Sequence, residues 1–109
     1  MKRFESGTLG TIDDNESTAA KEISHLKDVI ITCEASVSPV WAGAAAVEIS
    51  QDGTTWSTAP IYPIAQNDPT VANASFAYVV PGRVKQIRVT GTSVTVGSLV
   101  CSYGGVYDE

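Results

Sequence analysis

Residues 44–56 carry the clearest alternation in the chain. Ala45, Val47 and Ile49 fall on one side of it, and Ala46, Glu48 and Ser50 on the other. A period of two marks a β-strand with one buried face. The strand runs into Asp52-Gly53, a pair suited to the positive φ angles of a tight hairpin. The pattern predicts a return strand with Trp56 packed over the core beside it.

The same reading extends in both directions. Residues 29–36 are rich in β-branched side chains and place Val29, Ile31, Cys33 and Ala35 inward, with Ile30, Thr32 and Glu34 outward. Residues 37–43, with Pro39 and Trp41, read as a loop. Pro60, Pro63 and Pro69 cannot donate to a ladder, which makes that stretch an edge or a long loop. Alternation resumes with Ala74, Phe76, Tyr78 and Val80, turns at Pro81-Gly82, and continues with Ile87 and Val89 inward. Gly91-Thr92 is expected to turn the chain into a last core strand over 94–101, leaving 102–109 as a tail with Tyr103 and Tyr107. Residues 20–26 alternate only weakly, and a strand or a short helix fits them. The expected core is Val29, Ile31, Cys33, Val47, Ile49, Trp56, Phe76, Tyr78, Ile87, Val89, Val94 and Val96. Leu99 and Cys101 lie on the opposite parity from the last two.

Seven or eight short strands separated by turn residues, with no long helix-forming run, give an all-β fold: an antiparallel β-sandwich, Ig-like or jelly-roll-like. Residues 1–19 lack sustained periodicity. They are expected to form an extended or flexible N-terminal arm beside a sandwich domain of residues 20–109, with a plain first strand as the competing reading. Phe4, Leu9 and Ile12 are too sparse to build a core and would anchor the arm on a neighbouring subunit.

Composition narrows the function. At 109 residues and 43% apolar, the chain is one globular domain. A net charge of −5 argues against nucleic acid, whose phosphates need clustered Lys and Arg. The apolar runs are too short to span a bilayer. After Met1-Lys2-Arg3-Phe4 come Glu5, Asp13, Asp14 and Glu16, where a signal peptide needs apolar residues. The expectation is a soluble protein made in the cytoplasm, and Asn15 and Asn73, each in a glycosylation sequon, then mean little.

Cys33 and Cys101 could form one long-range bridge worth ~4 kcal/mol, or stay reduced as small core residues, which a cytoplasmic origin favours. Two Cys and one His cannot supply four protein ligands to zinc. Asp13, Asp14 and Glu16 lack the spacing of a calcium loop and read as a solvated acidic stretch. His25 has no nucleophile elbow or activated thiol around it. No cofactor and no catalytic residue is expected.

Ser50-Gln-Asp-Gly-Thr-Thr-Trp56, followed by Val80-Pro-Gly82 and by Val84-Lys-Gln-Ile-Arg-Val89, resembles the S-x-DG-x-x-W and P-G-x-x-x-x-I/V-R-V segments of small β-sandwich virion proteins of tailed bacteriophages. The resemblance covers roughly residues 29–103. It implies a non-enzymatic structural subunit, a capsid decoration or cement protein or a tail adaptor. Such a protein binds the major capsid protein or other virion subunits, acts as a homo-oligomer, and has no dealings with nucleic acid or membrane. Its place would be the virion, after synthesis in the host cytoplasm. Candidate interface residues are Phe4, Leu9, Ile12, Trp41, Tyr62, Tyr103 and Tyr107; Trp41 could equally cover one end of the sandwich. The hairpin motif also occurs in carbohydrate-binding sandwiches, so the alternative is a sugar-binding module that uses Trp41 with Tyr62 or Tyr78 as a stacking platform.

Overall fold

The computed structural model describes residues 1–58, 76–80 and 82–108. Within them the chain forms eight strands: β1 (Lys2–Ile12), β2 (Lys21–Glu22), β3 (Lys27–Ala35), β4 (Ala42–Ser50), β5 (Ser57–Thr58), β6 (Phe76–Val79), β7 (Gln86–Val96) and β8 (Leu99–Asp108). They build two antiparallel four-stranded sheets, in the orders β1-β8-β3-β6 and β2-β7-β4-β5. The fold is the expected antiparallel β-sandwich.

Period two places the core in β3 and β4. Val29, Ile31 and Cys33 face inward from β3, and Ala45 and Val47 from β4. Tyr78, Ile87 and Val89 join them, as expected, together with Val80, while Ile49 and Val94 are partly buried against the cluster. Cys33 and Cys101 lie directly opposite each other across β3 and β8, both fully buried and both free thiols. Residues 20–26 hold the short β2 and then a turn, Leu26 N–H to Ile23 C=O at 2.9 Å, that puts Ile23 and Leu26 into the core.

Three features correct the sequence reading, and a β-bulge explains the first of them. Residues 1–19 do not form a free arm in this chain, because Lys2–Ile12 pairs with β8 from Lys2 opposite Asp108 to Ile12 opposite Leu99. The register shifts between Thr8 and Gly10. That extra residue lets Leu9 and Ile12, three positions apart, both reach the core, and it destroys the alternation a sequence scan looks for. Gly91-Thr92 is no turn. Strand β7 runs straight through it, and a Cβ on Gly91 would lie 2.6 Å from Ile12 Cγ2, so this glycine makes room for β1 to cross.

The second bulge follows, with Ser93 at φ 54° and a register shift opposite Ala42 and Ala44. Val96 lies opposite Ala42, keeps the outward parity of Thr92 and so faces solvent, against expectation. The turn comes instead at Gly97-Ser98, and the supposed tail is the body of β8, burying Leu99, Cys101 and Tyr103.

Trp56 is the third correction. Asp52-Gly53 is not a two-residue hairpin: Ile49 pairs with Ser57, so residues 50–56 form a wider loop in which Gly53 alone has the positive φ, 85°. The changed length puts Trp56 half-buried on the outside of the second sheet, its ring 4.1 Å from the guanidinium of Arg88. The proline-bearing stretch, Tyr62, Ala74, Pro81 and the side chain of Phe76 lie outside the described residues.

Candidate functional site

Both sheets end together at one pole of the sandwich, where Ile12, Ala35, Ala42, Val96 and Leu99 close their strands. The loop from Ser36 to Trp41 crosses this pole. Its base is Trp41, 1% exposed, which plugs the end of the core and fixes where the loop departs. Ser36 does the local work. Its N–H donates to Ser98 C=O at 2.9 Å, and its C=O accepts from Trp41 N–H at 3.0 Å. Its hydroxyl donates to Pro39 C=O at 2.6 Å and accepts from Ser98 N–H at 3.0 Å. An isolated bridge joins Val37 and Val40, and the Ser38–Pro39 peptide is cis.

Gly97 completes the lock. It holds φ 84°, and a Cβ there would stand 2.6 Å from Trp41 Cα and 2.7 Å from Ser36 Oγ. The result is a pinned loop that shows its two apolar side chains to solvent, Val37 at 85% and Val40 at 63% exposure. Beside it the loop after β1 carries Asp13, Asp14 and Glu16, tied to β7 by Asn15 Oδ1 accepting from Val94 N–H at 2.8 Å and Glu16 C=O accepting from Gly91 N–H at 2.8 Å.

The residues singled out in the sequence are scattered across the molecule. Leu9 and Ile12 are core residues of β1, covered by this chain itself. Trp41 covers one end of the sandwich and offers no exposed anchor. Tyr103 is buried, its hydroxyl donating to Glu5 Oε2 at 2.9 Å; burial, reinforced by that carboxylate, pushes its pKa up. Tyr107 is partly buried, with its ring edge-on to His25 at 6.1 Å. Phe4 is 69% exposed and lies on the outer face of the first sheet, over Gly104. Tyr62 lies outside the described residues. With Trp41 and Tyr78 both inside, neither serves the sugar-stacking platform considered above.

Two polar clusters lie elsewhere. Glu5 also takes a 2.9 Å hydrogen bond from His25 Nε2, and this bond, then the one from Tyr103, holds its carboxyl below the usual range. In the 50–56 loop, Asp52 Oδ1 accepts from the N–H groups of Thr54 and Thr55 at 2.8 Å each and from the Ser50 hydroxyl at 3.2 Å. The Thr55 and Thr54 amides keep Asp52 ionised far below the ordinary carboxylate pKa. Its neighbours Ile49, Gln51, Thr55 and Ser57 join it around a shallow depression of about 280 Å³. Among the described residues, no group of three or more His, Cys, Asp or Glu side chains could hold a metal ion. Among the same residues, no helix is long and apolar enough to cross a membrane.

Solved structures now add a comparison. No protein-family model matches the chain, and no curated protein matches it in sequence. The SPBc2 prophage-derived protein YomS superposes with a TM-score of 0.73, over 97% of this chain and 95% of its own, at 10% identity. The two share a fold. Looser likenesses include the K2 cleaved adhesin domain of Lys-gingipain, with a TM-score of 0.48 at 10% identity over 85% of this chain and 61% of that one. Another is a CBM32 protein of Clostridium perfringens, at 0.42 and 21% identity over 87% and 74%. The sequence offered a signal for the pinned loop that went unused: Val37, Pro39 and Val40 crowd apolar residues into a segment too short to be a strand.

Proposed function

We propose that this protein is a non-enzymatic structural subunit of a bacteriophage particle, a capsid decoration or cement protein or a tail adaptor, that binds the major capsid protein or another virion subunit. The observation that carries the reading is the end-to-end fold match to a prophage-derived protein, over nearly the whole of both chains. The architecture suits such a task. A sandwich with pinned loops loses little conformational freedom on docking, so modest contacts suffice. Repetition on a symmetric lattice multiplies them through avidity, whether the subunits attach singly or as a homo-oligomer.

The test uses particles of the encoding phage assembled without this gene. Purified protein is added back, and binding is followed by cosedimentation and by image reconstruction. Saturable binding at symmetry-related positions is the expected result. Absence of binding to heads and to tails alike refutes the proposal.

A further inference from the structure

We propose that the pole built from the Ser36–Trp41 loop, the acidic loop after β1 and the Gly97 turn is a docking surface for a protein partner with an apolar socket rimmed by Lys or Arg. The inference rests on the structural-subunit reading above and names the surface and the partner chemistry that reading leaves open.

The apolar half of the argument is the placement of the exposed valines. Val37 and Val40 crown this one pole, Val96 ends β7 at its margin on the outer face of the second sheet, and Val100 stands near it on the outer face of the first. Exposed apolar side chains gathered in one patch mark an interaction site, whereas single ones do not. The loop that presents Val37 and Val40 is fixed by four hydrogen bonds through Ser36 and by the absence of any side chain at Gly97. A patch held in one conformation before contact gives up little entropy when it binds.

Charge identifies the partner. Asp13, Asp14 and Glu16 follow β1 at this pole, and Glu34 precedes the last residue of β3 there. Every Lys and Arg of the sequence lies among the described residues, and none is at this end. Lys2 sits opposite Asp108 and Lys27 opposite Val106, at the far ends of their strands. Lys21 and Lys85 flank the far end of β7, next to Arg83, and Arg3 is opposite Tyr107. Arg88, in mid-sheet, is engaged with Glu48 at 2.8 Å. Among the described residues the pole is therefore apolar at its centre and carries only anionic charge at its margin. Nucleic acid and anionic lipid are repelled by such a surface, whereas a basic protein rim is steered to it and oriented by it. The far pole mixes both signs, Lys27 meeting Asp108 at 3.9 Å and Lys85 meeting Glu22 at 4.0 Å, so a second copy supplies no strongly basic counterpart.

The experiment mixes the full chain with phage particles assembled without it and measures binding by cosedimentation from roughly 50 mM to 500 mM salt, across which the screening length falls severalfold. The wild type is expected to bind and to weaken as salt rises. The V37D/V40D variant alters only exposed side chains, keeps the circular dichroism and melting temperature of the wild type, and is expected to lose affinity at least about tenfold, as interface anchors do. D13N/E34Q is expected to weaken binding at low salt and to flatten its salt dependence, while K27Q at the far pole leaves both unchanged. If V37D/V40D binds like the wild type while the wild type binds well, the pole is not the docking surface and the structural-subunit reading survives. If the wild type does not bind, both fail. Binding indifferent to salt and to D13N/E34Q overturns the basic rim. Sedimentation of the free chain as an oligomer that V37D/V40D dissolves makes a second copy the occupant and overturns the proposed partner.

Discussion

Replacing Gly97 with alanine isolates what holds the Ser36–Trp41 loop in place. Two penalties act together. An L-residue at φ 84° is strained, a cost of about 1–2 kcal/mol in the left-handed region. The new methyl would also stand 2.6 Å from Trp41 Cα and 2.9 Å from Trp41 N. Those are backbone atoms, which cannot rotate aside, so the entry to β4 has to move; overpacking of this kind costs about 1–3 kcal/mol. The expected loss is about 2–5 kcal/mol, a large part of the roughly 5–15 kcal/mol available to a domain.

Gly82 supplies the control. It has φ 68°, but among the described residues nothing lies within 4 Å of a Cβ built there. Gly82→Ala therefore carries the backbone strain without the collision, and the change in unfolded-chain entropy is common to both variants. Urea melts of the two proteins, with equal m-values, read the difference directly: Gly97→Ala should be less stable than Gly82→Ala by about 1–3 kcal/mol. In thermal melts each kcal/mol corresponds to roughly 4–8 °C for a domain near this size. If the two variants melt together, the packing of Gly97 against Trp41 and Ser36 does not constrain the loop and the reasoning fails.

Other consequences are as direct. Ile12→Ala should destabilise by about 2–5 kcal/mol, and removing residues 2–12 should unfold the protein, since β8 would lose a strand partner and the core would lose Leu9 and Ile12; circular dichroism of the truncated chain checks it. Asp52 has a folded-state pKa depressed below its unfolded value, so its contribution to stability is complete above the usual carboxylate pKa near ~3.9 and is lost as pH falls toward the folded value. Asp52→Asn should remove that part of the acid dependence, and urea melts at a series of pH values below about 5 would show parallel wild-type and variant curves if it does not. Cys33 is held protonated by its hydrogen bond with Cys101 and by burial, so native protein should react slowly with iodoacetamide and release two titratable thiols in denaturant. Finding none after non-reducing denaturation would mean that the pair is bridged.

The sandwich was legible in the sequence wherever strands alternate without interruption. Val29, Ile31, Cys33, Val47, Ile87 and Val89 landed on the core face because period two survives intact in β3, β4 and the first half of β7. It was illegible where a register shift breaks the period, as the bulge at Leu9 disguised β1 as an arm, and where a strand runs on through an expected turn, as β7 does at Gly91-Thr92, which leaves Val96 on the outward face with Thr92. Glycine misled in a second way. Gly91 and Gly104-Gly105 read as turn and tail, yet they serve close packing, beneath Ile12 in one strand and against Phe4 and Val29 in the other. The candidate site was the least legible part. Trp41 drew attention as a large aromatic in a loop, but its role is to anchor from inside the small valines that face the solvent.

The position of β8 in the middle of its sheet has a consequence for synthesis. On the ribosome, β1 emerges first, and β8, beside which it must lie, begins only at Leu99. Until β8 is extruded, β1 and β3 have no strand between them, and Leu9, Ile12 and Ile31 remain uncovered. The second sheet waits nearly as long, since β7, which lies between β2 and β4, ends at Val96, just before β8 begins. Both sheets therefore close late, and the first does so in a step that joins residues from opposite ends of the described chain. Non-local closure of this kind is slow, and the open strands it leaves behind are prone to associate between chains. Nascent protein made in bulk is thus most vulnerable in the interval before its last strand is free to insert.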